Sequence, residues 1–222
     1  MADLSNMRSE GQQTISYRKV WRTNPACPPS ITLRLMPFVI DGSVTCYLMP
    51  DDHDEAERRF LELVAAPGET WLIAYSFTLA TAVDELIAAH GRGVRLHLYL
   101  DHSQSTGKAE HPVISRLVAA GIEVTIGTST SGAGYICHSK GLAVDTAAGP
   151  QCWEGSVNFS STGWLQVNTA MNFAAADWRD HFVAQFNTLR RYAWTQERDL
   201  QLMPQPPADL NTAAALPLTE TG

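Results

Sequence analysis

His138-Ser139-Lys140-Gly141-Leu142-Ala143-Val144-Asp145, followed by Gly155-Ser156-Val157-Asn158, is the stretch on which the reading of this chain turns. Side chains two apart on a strand share a face. A strand from Tyr135 to Asp145, interrupted at Gly141, therefore predicts His138 and Lys140 on one side and Ser139 on the other. Ser156 and Asn158 repeat the spacing. An imidazole that attacks or gives up a proton near neutral pH, an ammonium for phosphate oxygens and neutral hydroxyl and carboxamide donors together suit phosphodiester chemistry. Asp145 stands at an odd offset from His138, which turns it away from the imidazole on a regular strand. It is expected to support the site through a structural salt bridge and not through acid-base work.

Outward from this stretch the chain alternates strand and helix. Val44 to Met49 reads as a strand, Asp54 to Ala66 as a helix with Ala56, Phe60, Leu63 and Val64 on one face, and Thr70 to Ser76 as the next strand. A helix from Ala80 to His90, a strand from Val94 to Leu100, a helix from His111 to Ala120 and a strand from Ile122 to Ile126 follow. Downstream, Gln151 to Glu154 pairs with the motif strand through the turn 146–150 and returns Ser156 and Asn158 toward His138. Thr169 to Ala176 reads as another strand, with Met171 in the core. Asp177 caps a last helix to about Trp194 whose stripe is Phe182, Val183, Phe186, Leu189 and Tyr192. Such alternation predicts an α/β domain with a mixed, largely parallel β-sheet flanked by helices on both faces. The domain is expected over residues 41–198, after an N-terminal arm (1–40, with an edge strand in 31–40) and before a disordered Pro/Ala-rich tail (199–222).

Composition narrows the classes further. The sequence has 222 residues, 18% charged and 45% hydrophobic, which fits one folded domain. No run of about 18 apolar residues is present and the first residues carry no apolar segment, so the expected location is the cytoplasm without stable membrane insertion. Cys27, Cys46, Cys137 and Cys152 lack metal-ligand spacing and read as free thiols. The net charge is −7, yet residues 1–34 hold five basic side chains against two acids, an arm able to meet phosphates.

HSKGLAVD (138–145) matches the H-x-K-x(4)-D signature of the phospholipase D superfamily, and GSVN (155–158) matches its G-S-x-N element. WLIAYSFT (71–78), GRGVRLHLYLD (91–101) and LVAAGIEVTIG (117–127) resemble the elements preceding that motif, so the resemblance covers about residues 44–195. It implies a phospholipase D-like fold and a phosphodiesterase acting without cofactor or metal. His138, Lys140, Ser156 and Asn158 would be catalytic, with Asp145, Gly155 and Glu154 in support. Members of the superfamily build their site from two motif copies. This chain has one, because no other histidine has lysine two positions later. The resemblance therefore implies a homodimer whose two-fold axis passes through the site, similar to the small single-motif bacterial endonucleases.

By that resemblance His138 of one protomer forms a phosphohistidine and His138 of the other protonates the leaving oxygen. Nucleic acid is the expected substrate. A phospholipid phosphodiesterase or transphosphatidylase, against which the small polar loop 127–134 counts, and a weakly catalytic nucleic-acid-binding module are the alternatives. One departure stands out: the superfamily places an acid shortly after G-S-x-N to orient the histidine, whereas VNTAMNFAAAD (167–177) has none before Asp177. An amide or Glu154 is left to take that role.

Overall fold

The computed structural model describes residues 38–40, 43–132 and 134–193. Eight strands form one sheet: β1 (Phe38–Ile40), β2 (Val44–Met49), β3 (Glu69–Ala74), β4 (Arg95–Asp101), β5 (Glu123–Gly127), β6 (Lys140–Thr146), β7 (Gly149–Gly155) and β8 (Asn168–Phe173). Their spatial order is β1-β2-β8-β7-β6-β3-β4-β5. The helices are α1 (His53–Ala65), α2 (Ala80–Gly91), the short α3 (His102–Ser105), α4 (His111–Ala119) and α5 (Ala176–Ala193).

The sheet is mixed, but the expected predominance of parallel pairing is corrected. Among the described residues only the strand pairs β3-β4 and β4-β5 run parallel, where α2 and then α3 and α4 carry the chain back over the sheet. Parallel neighbours need such a crossover. From β6 onward a tight turn joins β6 to β7, and residues 156–167 fold back at the same end of the sheet to reach β8, so these pairs are antiparallel. β2 and β3 also pair antiparallel with their neighbours in the middle of the sheet.

Two apolar layers hold the sheet. On one face Ala56, Phe60, Leu63 and Val64 of α1, Ala82, Val83, Leu86 and Ala89 of α2, and Ile114 and Leu117 of α4 pack on Leu72, Leu98, Leu142 and Trp153. These helical positions recur at three and four residues, the spacing that makes one face apolar. On the other face α5 packs over β3 to β7 with Phe182, Phe186, Leu189 and Ala193 against Ile73, Tyr99 and Ala143. Val183 and Tyr192, expected in that stripe, are only half-buried.

Several expectations shift. The motif strand starts at Lys140 and not Tyr135, and Gly141 does not interrupt it. A Cβ at Gly141 would meet Phe182 at 2.6 Å, so the glycine lets α5 lie directly on the strand. Asp177 sits in the first turn of α5, where its charge suits the helix N-terminus. Met171 is 39% exposed, because α5 meets β8 at the strand's end, where Trp178 packs on Phe173, and lies mainly over β3 to β7. Phe38–Ile40 forms the expected edge strand against β2 and so belongs to the sheet. The remainder of the arm and the tail fall outside the described residues.

At the sheet end opposite the motif, His97 lies between Glu69 (Nε2 to Oε1, 2.9 Å) and Glu123 (Nδ1 to Oε2, 3.3 Å), while Arg190 bonds the other Glu123 oxygen at 2.6 Å. Burial disfavours the His97 cation, but the two carboxylates outweigh it and its pKa is raised. Both ring nitrogens can donate only when the ring is protonated. The stabilisation is therefore fully present below the unfolded value of about 6.5 and is lost as pH rises through the raised folded value. Urea midpoints of wild type and His97→Gln are expected to differ most in mild acid and to converge at alkaline pH. A difference independent of pH would contradict this account.

Candidate active site

Strand direction gathers the motif at one end of the sheet. β3 and β4 end there at Ala74 and Asp101, and β7 ends there at Gly155. β6 and β8 begin there at Lys140 and Asn168, with Lys140 paired to Ala74 and Gly155 to Ala170. Gly155 is required by this packing, since a Cβ would stand 2.4 Å from the Thr169 carbonyl oxygen and 2.7 Å from the Ala170 Cα.

His138 precedes the strand, so face alternation does not relate it to Lys140. A local hydrogen bond does: Lys140 Nζ donates to the His138 carbonyl at 2.6 Å. The His138 imidazole is exposed and leans on Tyr75, with ring centroids 4.6 Å apart and planes at 55°. Lys140 is 3% exposed, and its Nζ lies 4.9 Å from the centroid of the same tyrosine ring. The Ser139 carbonyl accepts the Tyr75 N–H at 2.8 Å, and Gln104 Nε2 donates to the Tyr75 hydroxyl at 2.9 Å. Tyr75 is thus a part of the site that motif reading missed. Its only sequence signal is its place inside WLIAYSFT (71–78), one residue past the end of β3.

The pKa shifts follow from these surroundings. His138 is lowered by desolvation and then by the Lys140 cation, against an opposing pull from Asp101. Lys140 is lowered by burial, opposed by Cys137, Glu154 and Asp101. Burial pushes the Cys137 thiol up to about 11, which keeps it an inert packing residue. Glu154 is raised by burial, opposed by the Gly155 N–H and by Lys140. Glu154 therefore acts on Lys140, and the carboxylate whose charge reaches His138 is Asp101.

Asn158 arrives by continuation of β7 past its end. A bridge between Phe77 and Phe159, with the Phe159 N–H donating to the Ser76 carbonyl at 3.2 Å, lays residues 156–159 against the segment after β3. The Asn158 Oδ1 is buried with no hydrogen-bond partner among the described residues. A half-turn of the amide would present NH2 donors in its place. Ser156 Oγ donates to Asn168 Oδ1 at 2.9 Å and accepts the Thr169 N–H at 3.0 Å, so it is tied to β8. Asp145 stands at the far end of β6 and pairs with Arg179 at 2.7 Å. A cleft of about 250 Å³ opens beside His138, lined by Ser129, Thr130, Ile136, Gln185, Thr188 and Leu189. Among the described residues no group of three His, Cys, Asp or Glu side chains is arranged to hold a metal ion.

Sheet and motif edge together define a phosphodiesterase fold of the phospholipase D kind. The chain belongs to that family: the family model described as "Cardiolipin synthase, PLD-like domain" matches residues 62–194. Among solved structures the chain is similar to Nuc from Salmonella typhimurium, a phospholipase D family member, at 23% identity and TM-score 0.58 over 69% of this chain and 95% of that one. It is also similar to NucT from Helicobacter pylori, at 12% identity and TM-score 0.57 over 67% and 96% of the two chains. Polyphosphate kinase from Porphyromonas gingivalis shares the fold at 18% identity and TM-score 0.54, over 75% of this chain and 31% of that one. No curated protein sequence matches.

Proposed function

We propose that the chain is a metal-independent phosphodiesterase that hydrolyses nucleic-acid phosphodiester bonds through a phosphohistidine, in a site completed by a second copy of itself. The observation that carries this reading is the exposed His138 imidazole beside the buried Lys140 ammonium. Desolvation and the Lys140 cation lower the His138 pKa below its ordinary value of about 6.5. The lowered value favours the neutral ring, whose free lone pair makes it the nucleophile, while the partner's ring must enter the reaction protonated. A nitrogen–phosphorus bond forms as the phosphorus–oxygen bond breaks, and the leaving oxygen takes a proton from the partner's His138. Water then attacks phosphorus and gives its proton to that histidine, which restores both rings. Lys140 and Asn158 are the donors for nonbridging oxygens, where charge builds in the transition state. The basic surplus of residues 1–34 supports a polyanionic substrate.

The profile of kcat/KM against pH is expected to be a bell. Its acid limb should rise below about pH 6.5, as His138 loses its proton, and its alkaline limb should fall as the partner's histidine loses the proton it must donate. A single alkaline-rising limb, the pattern of metal-bound hydroxide, would count against the mechanism.

A phospholipid substrate is the second reading, and the apolar side chains around the site favour it. Tyr135, Ile136 and Leu165 are exposed, and Val167 is 92% exposed. Tyr135 and Ile136 lie just before His138, and Leu165 and Val167 just before Asn168. Among the described residues no helix is long and apolar enough to cross a membrane. Oligonucleotides and phosphatidylcholine or cardiolipin vesicles, supplied side by side in excess EDTA, separate the two readings. Turnover of vesicles without turnover of oligonucleotides would replace the first with the second.

A further inference from the structure

The carboxylate whose charge reaches His138 comes from β4, outside the H-x-K-x(4)-D and G-S-x-N elements. Asp101 is fully buried at the end of that strand. Its Oδ2 accepts the Cys137 N–H at 2.6 Å, and its Oδ1 accepts the Ser103 N–H at 2.9 Å and the Ser103 hydroxyl. Three donors thus fix both carboxylate oxygens, and one of them is the N–H of the residue immediately before His138. Residues 159–176 contain no acid at all.

We propose that Asp101 is the positioning residue for His138: through the Cys137 N–H it pins the Cys137–His138 segment to the end of β4. The proposal deepens the reading of this site as a phosphodiesterase and rests on it for its kinetic consequences. The groups around the imidazole are few. Lys140 of β6 lowers its proton affinity, and Asp101 of β4 raises it. Tyr75, after β3, gives it a ring to lean on, and Cys137 beside it is held neutral by burial.

Behind Asp101 lies Glu110, also buried, which accepts the Phe77 N–H at 3.0 Å and the Ser105 hydroxyl at 3.4 Å. Burial foremost, with Asp101 adding to it, pushes Glu110 up to about 7. Glu110 thereby steadies the segment after Tyr75 while spending much of its time uncharged near neutrality. The two buried acids anchor the two backbone segments that face each other as His138 and Tyr75. A backbone N–H accepted by a buried carboxylate is a strong tether, and losing it leaves a buried donor unpaired.

The test uses the full chain and two readouts. The His138 Cε1–H resonance, assigned by its absence in His138→Ala, is followed by NMR through a pH titration. Its position also reports the ring current of Tyr75. In Asp101→Asn the His138 midpoint is expected to move to lower pH and the ring-current displacement to shrink. In the same variant kcat should fall by about tenfold or more with KM nearly held, and Asp101→Glu should recover part of it. An unchanged midpoint and an unchanged ring-current displacement in folded Asp101→Asn would overturn the proposal.

Should Asp101→Asn not fold, Ser103→Ala decides. Ser103 is exposed, and its loss removes one donor from Asp101. A several-fold lower kcat, or a displaced His138 resonance, supports the proposal, and wild-type values of both overturn it. The NMR readouts need no substrate. A failure of the phosphodiesterase reading, seen as no turnover by wild type, is thus distinct from a failure of the Asp101 assignment.

Discussion

His138→Ala is expected to lower phosphodiester cleavage by more than about 10⁴-fold. Loss of one general acid or base costs about 10²–10⁴-fold. In a two-copy site the single substitution removes the nucleophile from one chain and the proton donor from the other. Losses within such a unit do not simply multiply, so the combined effect is placed at or beyond the upper end of that range. The side chain is exposed, so its removal leaves the core intact and the thermal midpoint should stay near wild type. The measurement is single-turnover hydrolysis of an oligonucleotide and of bis(p-nitrophenyl) phosphate in excess EDTA, together with acid-labile, alkali-stable labelling of the wild-type chain by a 32P substrate. Residual activity within tenfold of wild type, in a preparation free of contaminating enzyme, would remove His138 from the mechanism.

Trp153→Ala is expected to destabilise the fold by roughly 3–5 kcal/mol, the usual cost of removing a buried tryptophan. That is a large part of the stability of a typical domain, about 5–15 kcal/mol. Trp153 is fully buried on β7. Its ring stacks on Tyr47 at 5.4 Å and meets Phe60 at 5.7 Å and Trp164 at 6.1 Å. The residue joins β2, α1, β7 and the turn before β8, four parts of the chain distant in sequence. Its indole Nε1 has no hydrogen-bond partner among the described residues, so Trp153→Phe should cost much less than Trp153→Ala. Urea unfolding monitored by circular dichroism distinguishes the two. Because Trp153 lies two residues before Gly155, folded Trp153→Ala should also lose activity as the end of β7 loosens. Equal midpoints for wild type and Trp153→Ala would show that this aromatic cluster carries little of the stability.

Much of the fold was legible because its signals are local. The β2 strand was read with its observed ends, and the helices α1, α2 and α4 within a residue or two, from apolar spacing and from stops such as Gly91-Arg92-Gly93, where Gly93 takes a positive φ of 89°. The sheet lacks the expected parallel excess because strand direction depends on where each crossover lands, which apolar spacing does not report. Hydrophobicity makes Met171 read as a core residue, but it does not report that α5 meets β8 at Phe173 and otherwise lies over β3 to β7. Tyr135 and Ile136, next to Cys137, are residue types common in strands, so the sequence predicts the strand from Tyr135 and not from its observed start at Lys140. Here their backbone is instead held by other partners: Thr128 donates to the Tyr135 carbonyl and Cys137 donates to Asp101.

By itself the sequence determined the residue types that chemistry requires, their spacing, and the alternation that makes an α/β sheet. His138, Lys140, Ser156 and Asn158 can be named because they stand in two short linear patterns, 138–145 and 155–158. The tertiary structure alone decided which side chains surround them. Tyr75 and Asp101 lie 63 and 37 positions before His138. They reach it because β3 and β4 run parallel and end where β6 begins. Charge and ring contacts act through space over a few ångströms, and the sheet, not the order of residues along the chain, sets those distances.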